Sequence, residues 1–385
     1  MARTLPDLRP VYVAGIGLHP YQRPTDTPYV RLGLTAVRAA LADAGLAWTA
    51  VESVWTATTS LGMAASVPML RYLGATGIPM TQIENASASG SSAFRQACLE
   101  VGGGLADVSL VLGVDKPALV RRSPTGVPDL ARRFMVPATH FALLAAEYMS
   151  RYGATPEQLA AVAVKNHRNG ARNPFAQRRR ERTLADILRD PPLSGPLTRL
   201  QCCPIGEGAA AVLVVSQEAI SRFGLDPARC VRVRASAQRS ERLYDPDASA
   251  SSSFDAELTR ETAREALDQA AVAPQDLDVV EVHDAFTIEE LQYAEAIGLC
   301  GEGEAAALVE KGAFDIGGRC AVSPSGGLLS MGHPIGPTGV GQIAEVTRQL
   351  RGEAGDRQQP GARLGLAHMV GLGAVCAVHI LEKPS

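Results

Sequence analysis

Hydrophobic positions follow two alternating periods along most of the chain. Short apolar runs with β-branched members, such as VYVAGI at 11–16, are typical of buried strands. Between them, segments such as 30–44 repeat apolar residues every three or four positions, and Gly45 marks the end of that helix. Strands therefore alternate with helices, which predicts an α/β fold.

The second half of the chain repeats the order of the first. Predicted strands lie at 11–16, 51–55, 80–84, 230–235, 278–282, 320–322 and 375–381, and predicted helices lie at 30–44, after 89, at 258–271 and at 339–350. Thr259 is the expected N-cap of the helix over 258–271. Any α/β protein shows some periodicity of this kind, but the matched order favours a duplicated core with the active site where the halves meet.

Residues 117–200 fit neither half. This segment carries Arg pairs at 121–122 and 132–133, and over 165–199 it holds nine basic residues (Lys165, Arg168, Arg172, Arg178, Arg179, Arg180, Arg182, Arg189 and Arg199) against three acidic ones. Such a cluster indicates either a covering segment that meets an anionic ligand or a solvated helical face. The polar stretch DPDASASSS at 245–253 predicts a mobile loop.

Composition narrows the class of protein. The 385 residues have a formal charge of −3, which argues against nucleic-acid binding. No apolar run reaches the roughly 18 residues of a membrane span, and Met1–Pro6 lacks the apolar stretch of a signal peptide. Seven scattered cysteines without a C-x-x-C pair make disulfides and structural zinc unexpected. A cytoplasmic protein without a bound metal or resident cofactor, and without membrane or nucleic-acid partners, is expected.

Two segments place reactive side chains at the ends of predicted strands. In IENASASGSSAF at 83–94, Ser87 precedes a helix whose positive N-terminal end would favour a developing anion, although small residues also serve tight packing. In VVEVHDAFTIEE at 279–290, His283 follows an apolar strand directly, where open α/β sheets keep their sites. Asp284 beside it could orient a ring or cap the next helix.

Two later segments are rich in glycine. SPSGGLLSMGHPIGPTGVG at 323–341 surrounds His333 with glycines and prolines that bring backbone close to a ligand. GLAHMVGLG at 365–373 precedes the closing strand, and its backbone N–H groups could bind an oxyanion. The alternative for the second segment is a bulged β-hairpin.

These four segments, in this order, resemble the thiolase superfamily, and most closely its sterol-carrier-protein branch. The likeness extends to YMSRYGATPEQLAAVAVKNHRNGARNP at 148–174 and CCPIGEGAAAVLV at 202–214. It implies a five-layered αβαβα core of two fused halves, a homodimer, and a loop domain that helps bind coenzyme A (CoA). The corresponding boundaries are 1–116 with 201–229 for the N-terminal half, 117–200 for the loop domain and 230–385 for the C-terminal half.

Carried over by position, the resemblance implies roles for particular residues. His333 matches the histidine of the GHP loop, and His283 matches that of the HDCF motif; both would help form an oxyanion hole. Gly371 and Gly373 lie in the hairpin loop expected to line the second oxyanion hole, and Asp284 and His368 are also expected in the oxyanion loops. Arg178, Arg179, Arg180, Ser325 and Met331 are expected to contact substrate. The nucleophilic cysteine falls on Ser87, the HDCF cysteine on Ala285 and the C-terminal cysteine of other branches near Gly365, so none of the seven cysteines matches a catalytic position.

The missing thiols leave three functions open. The favoured one is a cysteine-independent aldolase or retro-aldolase on a β-hydroxyacyl-CoA, as in relatives that degrade steroid side chains with a small OB-fold, zinc-ribbon partner. Those aldolases rely on tyrosines, whereas Tyr293 here is expected to be a helix core residue. The second is acyl transfer or Claisen chemistry with Ser87 as nucleophile or by direct transfer. The third is a non-catalytic acyl-CoA-binding subunit.

Overall fold

The computed structural model describes residues 3–117, 137–242, 254–372 and 374–384. The strands are β1 Val11–Gln22, β2 Ser53–Ala57, β3 Met80–Ile83, β4 Val108–Asp115, β5 Pro192–Ser194, β6 Leu197–Thr198, β7 Glu207–Ser216, β8 Val231–Ser240, β9 Val279–Glu281, β10 Ala321–Val322, β11 Leu364–Gly371 and β12 Val375–Glu382. The helices are α1 Tyr29–Ala44, α2 Ser66–Leu70, α3 Ser89–Gly102, α4 Pro137–Tyr152, α5 Pro156–Ala171, α6 Leu184–Arg189, α7 Gln217–Phe223, α8 Phe254–Ala270, α9 Thr287–Ile297, α10 Ala305–Glu310, α11 Gly327–Ser330 and α12 Ile335–Arg351.

The main sheet is a repeated five-strand unit. Its order is β10-β9-β11-β12-β8-β1-β7-β4-β2-β3, so the strands of each half stay together. In the N-terminal half, β2 runs parallel to β3 and β4, while β7 runs antiparallel to β4 and β1. In the C-terminal half, β9 runs parallel to β10 and β11, while β12 runs antiparallel to β11 and β8. The same order and directions in both halves confirm the predicted duplication.

The halves meet at a short seam and along a shared helical layer. Only Tyr12 and Val13 of β1 pair with β8, at Arg232 and Val231. Helices α3 and α12 contact each other and strands of both halves, whereas α1 packs on β1 and β7 and α8 packs on β8 and β12. Helices thus lie outside and between the two sheet halves, which gives the five layers expected from the sequence.

The inner helices α3 and α12 cross closely because glycines face each other. A Cβ on Gly90 would lie 2.6 Å from the carbonyl oxygen of Gly336, and one on Gly339 would overlap Ser91. Both distances are far below van der Waals contact, so only glycine allows this approach. The crossing holds the N-terminal ends of the two helices side by side.

One local prediction is wrong. Thr259 lies inside α8 rather than at its N-cap, and its hydroxyl instead bonds His368 Nε2 at 2.8 Å. Of the two interpretations of 365–373, the structure favours the β-hairpin, without a bulge, because Leu364–Gly371 forms β11, paired residue by residue with β12. The segment lies inside a sheet that is buried on both faces, where a run of apolar residues favours a strand. It therefore forms a strand despite its glycines.

The inserted segment shares a core with the C-terminal half. Leu144, Leu159 and Ile187 belong to one buried cluster with Leu258 and Leu291. The arginines at 121–122 and 132–133 and the whole predicted loop at 245–253 lie outside the described residues. The domain boundaries given above remain predictions.

Candidate active site

The turn before α3 presents Ser87 at the helix N-terminus, as predicted. Ser89 holds this turn, because its hydroxyl accepts from the Asn85 N–H at 2.8 Å and donates to the Ala86 carbonyl at 2.6 Å. Ala86 has a φ of 48°, a conformation that costs a non-glycine residue energy and that the surrounding contacts must maintain. The half-buried Ser87 follows directly on this strained residue.

Ser87 and His333 form a hydrogen-bonded pair across the two halves. Ser87 Oγ lies 3.0 Å from His333 Nε2, and His333 Nδ1 lies 2.9 Å from Thr338 Oγ1. The Thr338 hydroxyl donates its only proton to the Pro334 carbonyl at 2.5 Å, so it can only accept from the imidazole. Nδ1 therefore carries the ring proton, and Nε2 offers a lone pair to the Ser87 hydroxyl.

His333 stays neutral at ordinary pH. Burial, with a smaller contribution from the neighbouring His283, holds the pKa of His333 well below its usual value. A neutral ring with an available Nε2 lone pair is a general base. The arrangement can thus draw a proton from Ser87 or from a hydroxyl that takes its place.

Asp115 fixes the loop that carries His333. Its carboxylate accepts from the Gly336 N–H at 2.5 Å, at the start of α12, and from the backbone and side-chain donors of residues 58–60 at 2.7–2.9 Å. A cavity of about 130 Å³ opens here, lined by Thr59, Ser60, Asp115, Pro117, Cys203, Pro204, Ile205, Gly206, His333 and Ile335. This is the space beside the Ser87–His333 pair that a substrate can enter.

His283 lies next to His333 and is oriented by a residue that the sequence reasoning missed. The two imidazole centroids are 5.4 Å apart in an edge-on arrangement. Glu289 Oε1 accepts from His283 Nδ1 at 2.8 Å, while its Oε2 accepts from the Phe286 N–H at 2.9 Å. His283 Nε2 is buried and has no hydrogen-bond partner among the described residues. The carboxylate behind Nδ1 fixes the orientation of the ring and leaves Nε2 facing a ligand, where an Nε2–H could donate to an oxyanion.

A local signal for Glu289 was present in the sequence. The glutamate stands three residues after Phe286, at the position from which a side chain reaches back to the first N–H of a helix. That position turns its other oxygen towards the residues just before the helix, where His283 lies. Tyr293, one turn further on, is buried and donates to Glu289 Oε1 at 3.3 Å, which confirms its placement in the helix core.

Asp284 and His368 support the site without reaching its open side. Asp284 is fully buried and accepts from the Asn166 side chain and the Leu328 N–H, both at 2.7 Å, so it neither orients a ring nor caps α9. His368 Nδ1 accepts from the backbone N–H of His283 at 3.4 Å. Burial lowers the pKa of His368 to about 3, so the ring is neutral. The expectation that His368 belongs to an oxyanion loop is wrong, because it lies within β11 and holds the His283 backbone.

Gly371 lies against the Ser87 turn. A Cβ there would overlap the Asn85 carbonyl oxygen and lie 3.1 Å from the Ala88 nitrogen. Gly373 lies outside the described residues. Ser325 and Met331 are buried: Ser325 bonds Glu281 through its N–H and hydroxyl, both at 2.8 Å, and Met331 Sδ accepts from Asn173 at 3.2 Å. Through these contacts Ser325 and Met331 support the loop that carries His333, and neither residue lines the cavity.

We expect Gly371→Ala to destabilise the protein by about 1–3 kcal/mol, because the added methyl group must push β11 away from the Ser87 turn. Thermal unfolding would measure the loss. Gly62→Ala is the matched control, since nothing lies within 4 Å of a Cβ at that position. Equal melting temperatures for both variants would contradict the close packing of Gly371 on this turn.

Part of the predicted basic cluster is engaged inside the protein. Lys165 is buried and pairs with Glu290 at 3.0 Å, and Arg168 pairs with Asp315 at 2.8 Å. The Arg178 guanidinium donates to the carbonyls of Cys202 at 2.8 Å and Leu329 at 3.0 Å. Arg179 and Arg180 are exposed and remain candidates for an anionic ligand. The sequence pattern could not distinguish the cations that are engaged inside the protein from the exposed ones, because both kinds occur along the same segment.

Position 285 confirms that no thiol follows His283 in this motif. Ala285 is 6% exposed and offers only a methyl group. Among the described residues, no group of three or more His, Cys, Asp or Glu side chains is placed to hold a metal ion. Within the same residues, no helix combines the length and apolar character that crossing a membrane requires.

Comparisons with known proteins agree with this geometry. The N-terminal thiolase domain model matches residues 21–183, and the thiolase C-terminal-domain-like model matches residues 241–383. Sterol carrier protein 2 of Rattus norvegicus is 35% identical over 98% of this chain and 73% of its own length. Benzoylsuccinyl-CoA thiolase subunit BbsB of Thauera aromatica is 34% identical over 95% of both chains.

Among solved structures, the Ltp2-ChsH2(DUF35) aldolase superimposes with a TM-score of 0.83 at 25% identity, covering 98% of both chains. Human mitochondrial 3-ketoacyl-CoA thiolase, at 19% identity and a TM-score of 0.75, shares the fold. The duplicated sheet, the Ser87–His333 pair that joins its two halves and these matches lead to one assignment. The chain is an enzyme that belongs to the thiolase family, on the branch of the sterol-carrier-protein thiolases.

Proposed function

We propose that this enzyme breaks or makes a carbon–carbon bond in an acyl-CoA thioester, chiefly by retro-aldol cleavage of a β-hydroxyacyl-CoA. One observation carries the proposal: His283 and His333 stand 5.4 Å apart, while positions 87 and 285 hold a hydroxyl and a methyl group instead of thiols. Retro-aldol cleavage needs a base and an oxyanion hole but no acyl-enzyme. The acyl-CoA is the substrate, and no resident cofactor is required for this step.

The reaction divides between the two histidines. His333 Nε2 takes the proton of the β-hydroxyl, the Cα–Cβ bond breaks, and a carbonyl compound leaves. The electron pair of the broken bond forms an enolate whose negative charge lies on the thioester oxygen. His283, held by Glu289, donates an Nε2–H to that oxygen. Protonation of Cα completes the release of the shortened acyl-CoA.

Partner subunits form part of the proposal. The structural relative named above is an aldolase described together with ChsH2(DUF35), and BbsB is named as a subunit. We propose a homodimer and a small OB-fold, zinc-ribbon partner. The strand β3 ends the sheet, and the segment before it exposes Met63, Val67 and Tyr72 at 98%, 51% and 67% of their surfaces, which supports contact with a second copy.

Acyl transfer through Ser87 is the second candidate. The 3.0 Å contact between Ser87 Oγ and His333 Nε2, with Thr338 behind the ring, favours it. In this reaction Ser87 Oγ attacks the thioester carbon, His333 takes the hydroxyl proton and returns it to the departing CoA sulfur, and an acyl-serine remains.

Intact-protein mass spectrometry after incubation with a panel of acyl-CoAs and β-hydroxyacyl-CoAs separates the two candidates. For the retro-aldolase we expect a released aldehyde or ketone, no mass gain on the protein, and turnover in Ser87→Ala within about tenfold of wild type, since a neighbouring hydroxyl only assists the base. The exposed Ser221→Ala is the control. A mass gain that needs Ser87 would instead establish the acyl-transfer reaction and refute retro-aldol cleavage as the main activity.

A further inference from the structure

The cavity beside His333 contains a thiol whose role the mechanism above does not use. Among its described lining residues, only Asp115, His333 and Cys203 carry an acidic or basic side chain. The oxygens of Asp115 already accept six hydrogen bonds, including the one from the Gly336 N–H. His333 takes the β-hydroxyl proton in the proposed reaction. Cys203 is therefore the remaining group that could protonate carbon.

Backbone pairing places Cys203 directly opposite Ala285. The Cys203 N–H donates to the Ala285 carbonyl at 2.8 Å, and Cys202 forms an antiparallel bridge with Phe286. Residues that face each other in an antiparallel pair project to the same side, with Cβ atoms about 4.5–5.5 Å apart. The Cys203 thiol and the Ala285 methyl group are thus neighbours on one face.

The same short segment carries an unpartnered polar atom. His283 stands two residues before Ala285 and is 7% exposed, and its Nε2 has no hydrogen-bond partner in the described part of the chain. A buried ring nitrogen without a partner indicates a place where a ligand oxygen completes the bonding. His333 lines the same cavity as Cys203, and its ring centroid is 5.4 Å from that of His283, so His333 connects the expected thioester oxygen at His283 with the thiol of Cys203.

The protonation state of Cys203 suits an acid. The neighbouring Cys202 thiol, together with burial, raises the pKa of Cys203 well above its usual value. A thiol that keeps its proton is a poor nucleophile towards a thioester. It retains a proton that an adjacent carbanion can take.

We propose that Cys203 is the catalytic acid that protonates Cα of the enolate, an inference that rests on the retro-aldol function proposed above. The Sγ–H bond breaks, its proton forms the new Cα–H bond, and the enolate pair becomes that bond. The resulting thiolate recovers a proton from His333, which had taken it from the β-hydroxyl. Protons balance without any further reactant, and in the reverse direction His333 takes the Sγ proton while the sulfur removes the α-proton.

Deuterium exchange tests this step without a complete reaction. The enzyme is incubated with acetyl-CoA or propionyl-CoA in D₂O, and mass spectrometry follows deuterium at the α-carbon. We expect exchange in wild type, about a hundredfold less in Cys203→Ala because a general acid–base group is gone, and a strong decrease in Cys203→Ser because a hydroxyl is a much weaker acid. Cys300→Ala, which removes a half-buried thiol outside the cavity lining, should keep the wild-type rate.

Each outcome has a distinct meaning. Undiminished exchange in Cys203→Ala would overturn the role of Cys203 while leaving the retro-aldol function in place, as would cleavage by a wild type that shows no exchange. A wild type with neither exchange nor cleavage would overturn both. Should the alanine variant fail to fold, alkylation of the wild type decides: acetyl-CoA should slow iodoacetamide labelling at Cys203, and unchanged labelling would refute the proposal.

Discussion

His333→Ala is expected to lower kcat/KM for a β-hydroxyacyl-CoA by about a thousandfold or more, because one ring serves as the base and adjoins the developing oxyanion. The variant keeps its fold, since His333 is half-buried and bonds only through Ser87 and Thr338 among the contacts described. Steady-state kinetics with carbonyl-product detection measures the loss. His19→Ala is the matched control, because in the described part of the chain that ring bonds only its neighbouring Pro20 carbonyl.

The pH profile of the wild type adds a second measurement to this prediction. The base acts when His333 is neutral, and burial with the nearby His283 lowers its pKa well below 6.5. Activity should therefore persist as the pH falls through 6.5 and disappear only when the imidazole gains a proton at lower pH. An acidic limb of kcat/KM centred at or above 6.5, or a His333→Ala variant with near wild-type turnover, would contradict His333 as the base.

Lys165→Met should produce the largest loss of stability, about 3–5 kcal/mol in the free energy of unfolding. The Lys165 ammonium lies 3.0 Å from Glu290 Oε1, 2.7 Å from Asn166 Oδ1 and 2.5 Å from the Val322 carbonyl, and it is 2% exposed. Its removal leaves the buried Glu290 carboxylate without its cation, beside Asp284, whose pKa burial and Glu290 already raise well above the usual value.

Urea unfolding at pH 7 would measure this loss. Arg168→Ala removes a half-exposed ion pair with Asp315 from the same helix, and should cost no more than about 1 kcal/mol. The double variant Lys165→Met, Glu290→Leu should recover much of the stability, since the uncompensated charge is gone. Equal losses in Lys165→Met and Arg168→Ala, or no recovery in the double variant, would show that the buried pair contributes little.

The sequence allowed the main side chains of the candidate site to be predicted because each follows directly on a strand or opens a helix. Ser87, His283 and His333 lie at ends of elements that a duplicated α/β core brings to one place. Their hydrogen-bonding partners escaped prediction for the opposite reason. Thr338 and Glu289 act through side chains that bond the backbone one turn earlier, at the start of α12 and of α9. Helical periodicity predicts which side of a helix is buried, but it does not predict these bonds to the preceding turn.

Charge was the least predictable property of the segment over 165–182. Its excess of cations suggested a surface for an anionic ligand, yet Lys165 faces Glu290 in the interior and Arg178 faces backbone carbonyls. The acidic partner of Lys165 comes from α9, more than a hundred residues away. Local composition carries no information on such distant pairing, whereas the exposure of Arg179 and Arg180 agrees with their polarity.

The crossing of α3 and α12 has a consequence for the history of the chain. The two helices occupy equivalent places in the repeated units, yet one begins beside Ser87 and the other beside His333. After the duplication, equivalent positions specialised, so that each unit now supplies half of a hydrogen-bonded pair and neither can replace the other. Complementary divergence of this kind ties the two copies together: Ser87 and the Asp115 carboxylate that fixes the His333 loop lie in one unit and His333 lies in the other, so a unit expressed alone would lack part of the site.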